Sequence, residues 1–272
     1  MSLFLAYSPT GVLVLLLAGG LIGAIGGLLG IGGGIIAVPV LLEILARPQL
    51  AAADATGLAI GTAQAVVVLA AASAAWAHAG AGTIDRGILR AWLPATLLGG
   101  LLGLALAPFV PTTVALAAFA LLALALAAAV VAGNRVLLAA APPRGRLGWL
   151  VPAAIGLAST LLGVGAGTLS GPVLGLFGVP LPRAVGAGAV FNLVVAAPAV
   201  LGYALAGWGR PGLPADALGH VSLVAAALLA VPAMLVAPMA ARWATRLSQS
   251  VLRAAFAACL LAIALRLAWR IL

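Results

Sequence analysis

One feature restricts this chain to few folds: a long apolar run, GLIGAIGGLLGIGGGIIAVPVLL from Gly20 to Leu42, that is broken in its middle by Gly30, Gly32, Gly33 and Gly34. Glycine weakens a helix and bares backbone polar groups, and in a lipid core bared backbone is tolerated only where it lines a cavity or packs on protein. The break occurs twice. From Thr160 to Gly175 the chain reads TLLGVGAGTLSGPVLG, and a shift of 133 places Gly30 on Gly163, Gly32 on Gly165, Gly34 on Gly167 and Pro39 on Pro172.

The surroundings of both breaks are apolar enough to require a membrane. Hydrophobic residues make up 65% of the 272 and charged residues 6%, against roughly 25% charged in a soluble domain. Runs long enough to span, about 20 residues each, recur along the whole chain, so it is expected to form one transmembrane unit. The opening residues, MSLFLAYSPTGVL, carry no basic region and no convincing small-residue cleavage site, and are expected to stay in the fold. All 13 basic residues are arginine, against Glu43, Asp54, Asp85 and Asp216. Arginines at the ends of membrane helices set orientation and meet anionic lipid, and nothing here resembles a nucleic-acid module. The single cysteine, Cys259, can make neither a disulfide within the chain nor a metal site alone.

In order, apolar segments are expected over Gly11–Leu29, Ile35–Leu45, Leu50–His78, Ile88–Pro108 and Thr113–Ala132. A polar connector then precedes a second set: the broken segment Trp149–Phe177 and helices over Ala184–Ala206, Ala217–Met239 and Ser248–Leu272. The plan is two repeats, about 10–132 and 149–272, joined by residues 133–148. Arginine placement bears on whether each broken segment crosses once or turns back. A single crossing divides the arginines eight to five between the two sides; a hairpin divides them nine to four, the better fit to the positive-inside rule. Hairpins also leave three full spans per half, so the second half enters from the opposite face. The fold class expected is an all-α membrane protein, a polytopic bundle of two four-segment inverted repeats, each starting with a Gly-broken helix or hairpin.

Two hairpins entering from opposite faces bring their glycine turns together near the bilayer midplane. Helices starting near Ile35 and Thr168 would each point unpaired N–H groups and partial positive charge at that centre, a setting that favours an anion. The substrate-binding candidates are therefore Gly32, Gly33, Gly34, Gly165 and Gly167, with Thr56, Thr62, Gln64, Thr168, Ser170 and Asn192 as polar contacts. Each has a plainer reading. Membrane glycines also serve close helix packing, and Ser159, Thr160, Thr168 and Ser170 can bond back to their own helix carbonyls. Gln64 and Asn192 carry more weight, because a buried amide in lipid needs partners. Glu43 and Asp54 are expected to pair with Arg47 at the interface, with proton coupling as their other role. His78 and His220, at expected helix ends, are read as solvated. The GxGxxG-like spacing from Gly27 to Gly32 has no βαβ unit around it and is not a dinucleotide site.

GLLGIGGGIIAVPVLL in the first half, with LLGVGAGTLSGPVLGLFGVPLPRAVGAGAVFNL in the second, resembles the TauE/SafE family of sulfite exporters and toluenesulfonate uptake permeases. The resemblance covers nearly the whole chain. It implies a multi-pass transporter of small sulfur-containing anions or organic acids such as sulfite, sulfoacetate or sulfonates. Family members often show A-x-G-T-S after the first hairpin; here Ala53–Gly57 keep the threonine, Thr56, and carry glycine in place of the serine. The function expected is a secondary transporter, most simply an exporter, working by alternating access at a midplane site in the cell's inner (plasma) membrane. The alternative is a passive channel for small anions or neutral solutes. An enzyme is not expected: there is no HExxH, no clustered histidines and no paired intramembrane carboxylates. No cofactor or metal is expected. The partners are a small-molecule anion and membrane lipid, not nucleic acid, with a homodimer left open.

Overall fold

A computed structural model describes residues 8–29, 32–45, 50–111, 141–143 and 145–244, with scattered positions between 113 and 139 and between 248 and 265. Among the described residues are α1 (Pro9–Leu29), α2 (Gly34–Leu45), α3 (Ala52–Gly80), α4 (Arg86–Leu106), α5 (Gly145–Leu162), α6 (Ala166–Leu176), α7 (Leu181–Ala206) and α8 (Leu223–Ala244). Most of the segments expected over Thr113–Ala132 and Ser248–Leu272, the connector from 131 to 138, Gly30, Arg47, Arg144 and Cys259 lie outside the described residues. The all-helical membrane bundle is as expected: α1, α3, α4, α7 and α8 are each long and apolar enough to cross a bilayer. Their outer faces suit lipid. Leu13, Leu17 and Leu21, one turn apart on α1, are half or more exposed, as are Leu201 and Leu205 on α7.

The helices α2, α3, α6 and α7 hold most of the buried core, and α1, α4, α5 and α8 flank them. Small residues decide the flanking pairs. Gly19, Gly23 and Gly27 of α1 lie against the carbonyls of Leu229, Ala233 and Ala237 of α8, where a Cβ at any of the three would overlap the backbone. On the other flank Gly99 and Gly103 of α4 meet Ala153 and Leu157 of α5, and Gly156 meets Thr96. With no hydrophobic drive between helices in lipid, such close backbone approach is what holds them. These glycines therefore follow the packing reading.

The same contacts give directions. Rising residue numbers on α1 meet rising numbers on α8, and the same holds for α4 with α5. The α3–α8 pair is also parallel, since Thr62 meets Ser222 and Ser73 meets Met234. By contrast, α3 and α7 are antiparallel, with Gly61 beside Tyr203 and Thr83 beside Gly186. Finally, Gly100 beside Val195 and Leu104 beside Gly202 make α4 and α7 parallel. So α1, α3 and α8 run one way and α4, α5 and α7 the other. Every pairing is kept when α1–α4 are exchanged for α5–α8: α1·α8 becomes α5·α4, α3·α8 becomes α7·α4, and α2·α3 becomes α6·α7.

The directions also place the charges. Of the described arginines, Arg86, Arg90, Arg146, Arg183 and Arg242 fall at one end of the bundle and Arg210 at the other. At the arginine-rich end Asp85 caps α4 by accepting from the Gly87 and Ile88 N–H groups, and its second oxygen lies 3.6 Å from Arg183. That exposed ion pair contributes at most about 1 kcal/mol.

The start of α8 departs from expectation. Sequence pattern puts it at Ala217, but residues 217–222 form a turn closed by a bridge between Ala217 and Ser222, and Gly219 takes φ +57. Asp216 explains the delay. Its carboxylate accepts from the Ser222 hydroxyl and the Val224 N–H, so the helix is capped from Leu223 onward.

Candidate functional site

At both breaks the chain doubles back. Gly32 shares a small cavity with Ala70, Ala71 and Ala74 of α3, while Val38, six residues on, lies with Ile60 beside Gly163. Hence α2 runs antiparallel to α3. In the second half Gly167 meets Asn192 and Ser170 meets Gly188, so α6 runs antiparallel to α7. Glycine makes each reversal possible: Gly33 has φ +75 and Gly165 has φ +80, a region other residues rarely adopt. The Gly33 carbonyl then accepts from the Ile36 and Ala37 N–H groups, starting α2, and the Gly165 carbonyl accepts from the Thr168 N–H, starting α6.

The two reversals touch. Gly34 lies against the Gly163 carbonyl so tightly that a Cβ would overlap it, and a Cβ on Gly165 would stand 3.3 Å from the Gly32 Cα. Asn192 of α7, 2% exposed, is wedged between them. Its Oδ1 accepts from the Gly167 N–H at 2.6 Å. A Cβ on Gly32 would stand 2.7 Å from its Nδ2, and one on Gly165 would stand 2.8 Å from its Oδ1. The first N–H groups of α2 and α6 have no partner within their own helices, and both helices begin beside this amide. Each N-terminus carries about half a positive charge, so the centre is electropositive without a cationic side chain.

The expected site residues divide. Gly32, Gly33, Gly34, Gly165, Gly167, Thr168 and Asn192 are brought together, and Ser170 follows one helical turn into α6 with a buried hydroxyl that has no partner. Thr168 bonds back to the Val164 carbonyl at 2.8 Å, the plainer reading of that residue. Gln64 is buried on α3, but its amide donates to the Ser159 carbonyl at the end of α5. Thr62 accepts the Ser222 N–H and so serves the start of α8. Thr56 lies one turn into α3, its hydroxyl donating to the Ala52 carbonyl at 2.8 Å rather than to the centre.

Several neighbours differ from their sequence reading. Asp54 contacts His220 at 2.9 Å and Arg210 at 3.3 Å; Arg47, the partner expected for it, is outside the described residues. Glu43 is exposed near the end of α2. His220 and His78 are buried rather than solvated, because the segment 207–222 folds onto Gly57 and Gly61 of α3, and the His78 ring bonds the Thr83 hydroxyl. The hydroxyls of Ser159 and Thr160 do not bond back to their helix; both are buried without a partner. Tyr203, not singled out from sequence, donates to the Thr160 carbonyl at 3.4 Å.

Among the described residues the space beside the centre is small. The cavity between Ile22, Gly32, Ala71, Asn192 and Ala237 measures about 10 Å³, room for about one water.

The family model described as Sulfite exporter TauE/SafE matches residues 15–267. A protein of Haemophilus influenzae described as "Probable membrane transporter protein" is 26% identical over 262 residues, 95% of this chain and 98% of that protein. No solved structure matches the chain. A match over almost the full length, with the duplicated breaks inside it, means that the chain belongs to the TauE/SafE sulfite exporter family of membrane transporters.

Proposed function

We propose that the chain is a secondary transporter, working as an exporter, of small sulfur-containing anions such as sulfite, sulfoacetate or organosulfonates. The observation that carries this is the meeting of two glycine reversals at Asn192, with the N-termini of α2 and α6 both starting there. An oxyanion would take the N–H groups of those first turns, with glycine letting it reach the backbone. In the closed state Asn192 Oδ1 occupies the Gly167 N–H. On binding, the anion replaces that oxygen and the amide turns its NH₂ donors to the ligand. The remaining candidates, Gly32, Gly33, Gly34, Gly165, Thr168 and Ser170, line the same place; Thr56 and Gln64 do not act there.

The same packing supports alternating access. The exchange of α1–α4 for α5–α8 with opposite directions supports two inverted repeats, about 10–132 and 149–272, and the antiparallel runs of α2 and α6 support hairpins. Five described arginines at one end against one at the other support a cytoplasmic arginine-rich face in the inner membrane. Of the two acidic candidates for coupling, Asp54 acts as a latch between α3 and the 207–222 segment rather than as a proton carrier, because Arg210 and His220 hold it. A cavity of about 10 Å³ at the centre favours a carrier over an open pore. Counterflow in proteoliposomes tests the reading. Uptake of labelled sulfite or sulfoacetate should saturate and accelerate when the same anion is loaded inside; unsaturable flux with no trans-acceleration would make the protein a channel.

A further inference from the structure

Beside the glycine centre, at the C-terminal end of α5, lie buried oxygens that no group in the protein satisfies. Gln64 Oε1, Ser159 Oγ and Thr160 Oγ1 have no hydrogen-bond partner, and all three residues are 0% exposed. All three residues lie at one helix end: Ser159 and Thr160 are in the last turn of α5, and Gln64 reaches it from α3. The Gln64 Nε2 donates to the Ser159 carbonyl at 3.2 Å, and Tyr203 donates to the Thr160 carbonyl at 3.4 Å. The amide cannot be reversed without facing oxygen to oxygen, so Oε1 is the atom left over. On the far side of Thr160 a Cβ on Gly100 would come within 3.3 Å of Oγ1 and 2.9 Å of Val195 Cγ1, so α4 and α7 pack closely beside that hydroxyl.

The local composition is three side-chain oxygens and two backbone carbonyls, all neutral. A helix C-terminus adds partial negative charge to them. Buried polar atoms of a native fold are normally satisfied, so three orphans at one helix end call for a ligand. An anion is excluded by the sign of the helix end. Divalent and transition ions draw on carboxylate, imidazole or thiolate, and among the described residues no group of three or more His, Cys, Asp or Glu exists. Carbonyl, hydroxyl and carboxamide oxygens suit a hard monovalent cation.

We propose that Gln64, Ser159 and Thr160, with the carbonyls of Ser159 and Thr160, bind Na⁺. The ion would sit at the end of α5, and only Gly163, Val164 and Gly165 separate α5 from the start of α6, where the anion binds. Cation and anion thus face each other across one reversal, and each strengthens the binding of the other. This coupling rests on the transporter reading above; the cation site itself does not.

The test is thermal stability of the detergent-purified protein with no sulfur anion present, in NaCl, KCl and choline chloride at constant chloride. Stability should rise saturably with Na⁺ and not with K⁺ or choline. Thr160→Val, which keeps side-chain shape, and Ser159→Ala should each weaken the apparent Na⁺ affinity at least tenfold, while Thr56→Ala leaves it unchanged. Equal stability in all three salts, or an Na⁺ effect that survives both Thr160→Val and Ser159→Ala, overturns the proposal. Anion stabilisation through Asn192 is read separately, so loss of one effect with survival of the other shows which reading failed.

Discussion

Replacing Gly32 by alanine puts a methyl carbon 2.7 Å from both Cγ and Nδ2 of Asn192 and 2.8 Å from Oδ1. Native Cβ atoms do not come that close, so the amide must move, and moving it breaks the 2.6 Å bond from the Gly167 N–H. Three terms set the size. Overpacking costs about 1–3 kcal/mol. Leaving a buried N–H unmade costs about 1–3 kcal/mol. Alanine returns about 0.4–1 kcal/mol by restricting the unfolded chain, because Gly32 does not have a positive φ. The net is a loss of about 3 kcal/mol, or on the order of 10 °C in melting temperature for a chain of this size. Thermal unfolding of the purified protein measures it, and a double-mutant cycle isolates the cause. Asn192→Ala alone also destabilises, since Gly167 loses its acceptor. In that background the Gly32 methyl has space, so Gly32→Ala should cost about 2 kcal/mol less than it does in the native protein. Equal cost in both backgrounds, or a native-like melting temperature for Gly32→Ala, would refute the wedge.

Gly156→Ala drives a methyl into the Thr96 carbonyl, with the Gly100 nitrogen 2.8 Å away, and should destabilise by at least about 2 kcal/mol. Gly20→Ala, with nothing within 4 Å, should be neutral or stabilising by about 0.5–1 kcal/mol, which side-by-side melts would check. Thr62→Val removes the acceptor of the buried Ser222 N–H and should cost about 1–3 kcal/mol in the same melts. Asp54→Asn frees the 207–222 segment from α3 and should slow transport in proteoliposomes, whereas Glu43→Gln, at an exposed position, should not; equal rates would remove Asp54 from the cycle. Thr56→Ala should leave both anion binding and transport near native, since its hydroxyl serves only the Ala52 carbonyl.

The centre was legible because its constraint is written twice. The second copy from Thr160 to Gly175 marks the break but not the left-handed position within it, since at a shift of 133 the left-handed Gly165 falls on Gly32 and the left-handed Gly33 on Ala166. Asn192 was legible as an amide that lipid cannot satisfy. The packing stripe Gly19, Gly23 and Gly27 was not, because a glycine facing lipid and one facing another helix look alike until the partner is known. That partner, α8, lies some 210 residues along the chain. Thr56 misled through its place in a motif, whereas a threonine one turn into a helix has the carbonyl four residues back at hand. His220 misled because its place at an expected helix end suggests solvent. Only the tertiary fold shows that residues 207–222 bend back onto α3. For Ser159 and Thr160 the sequence leaves back-bonding to their own helix and a ligand contact both open, and their orphaned state depends on what Gln64 and Tyr203 take from the backbone beside them.

The most direct test of the central claim is the thermal stability of the purified protein against sulfite, sulfate, sulfoacetate, taurine, aromatic sulfonates, phosphate and short carboxylates. A ligand that binds the folded state raises its stability, by about 2.7 kcal/mol at a hundred times its dissociation constant. The account predicts selective stabilisation by a sulfur oxyanion, lost in Asn192→Ala and kept in Thr56→Ala. No stabilisation by any anion, or stabilisation that Asn192→Ala leaves intact, would contradict an anion site where the two glycine reversals meet.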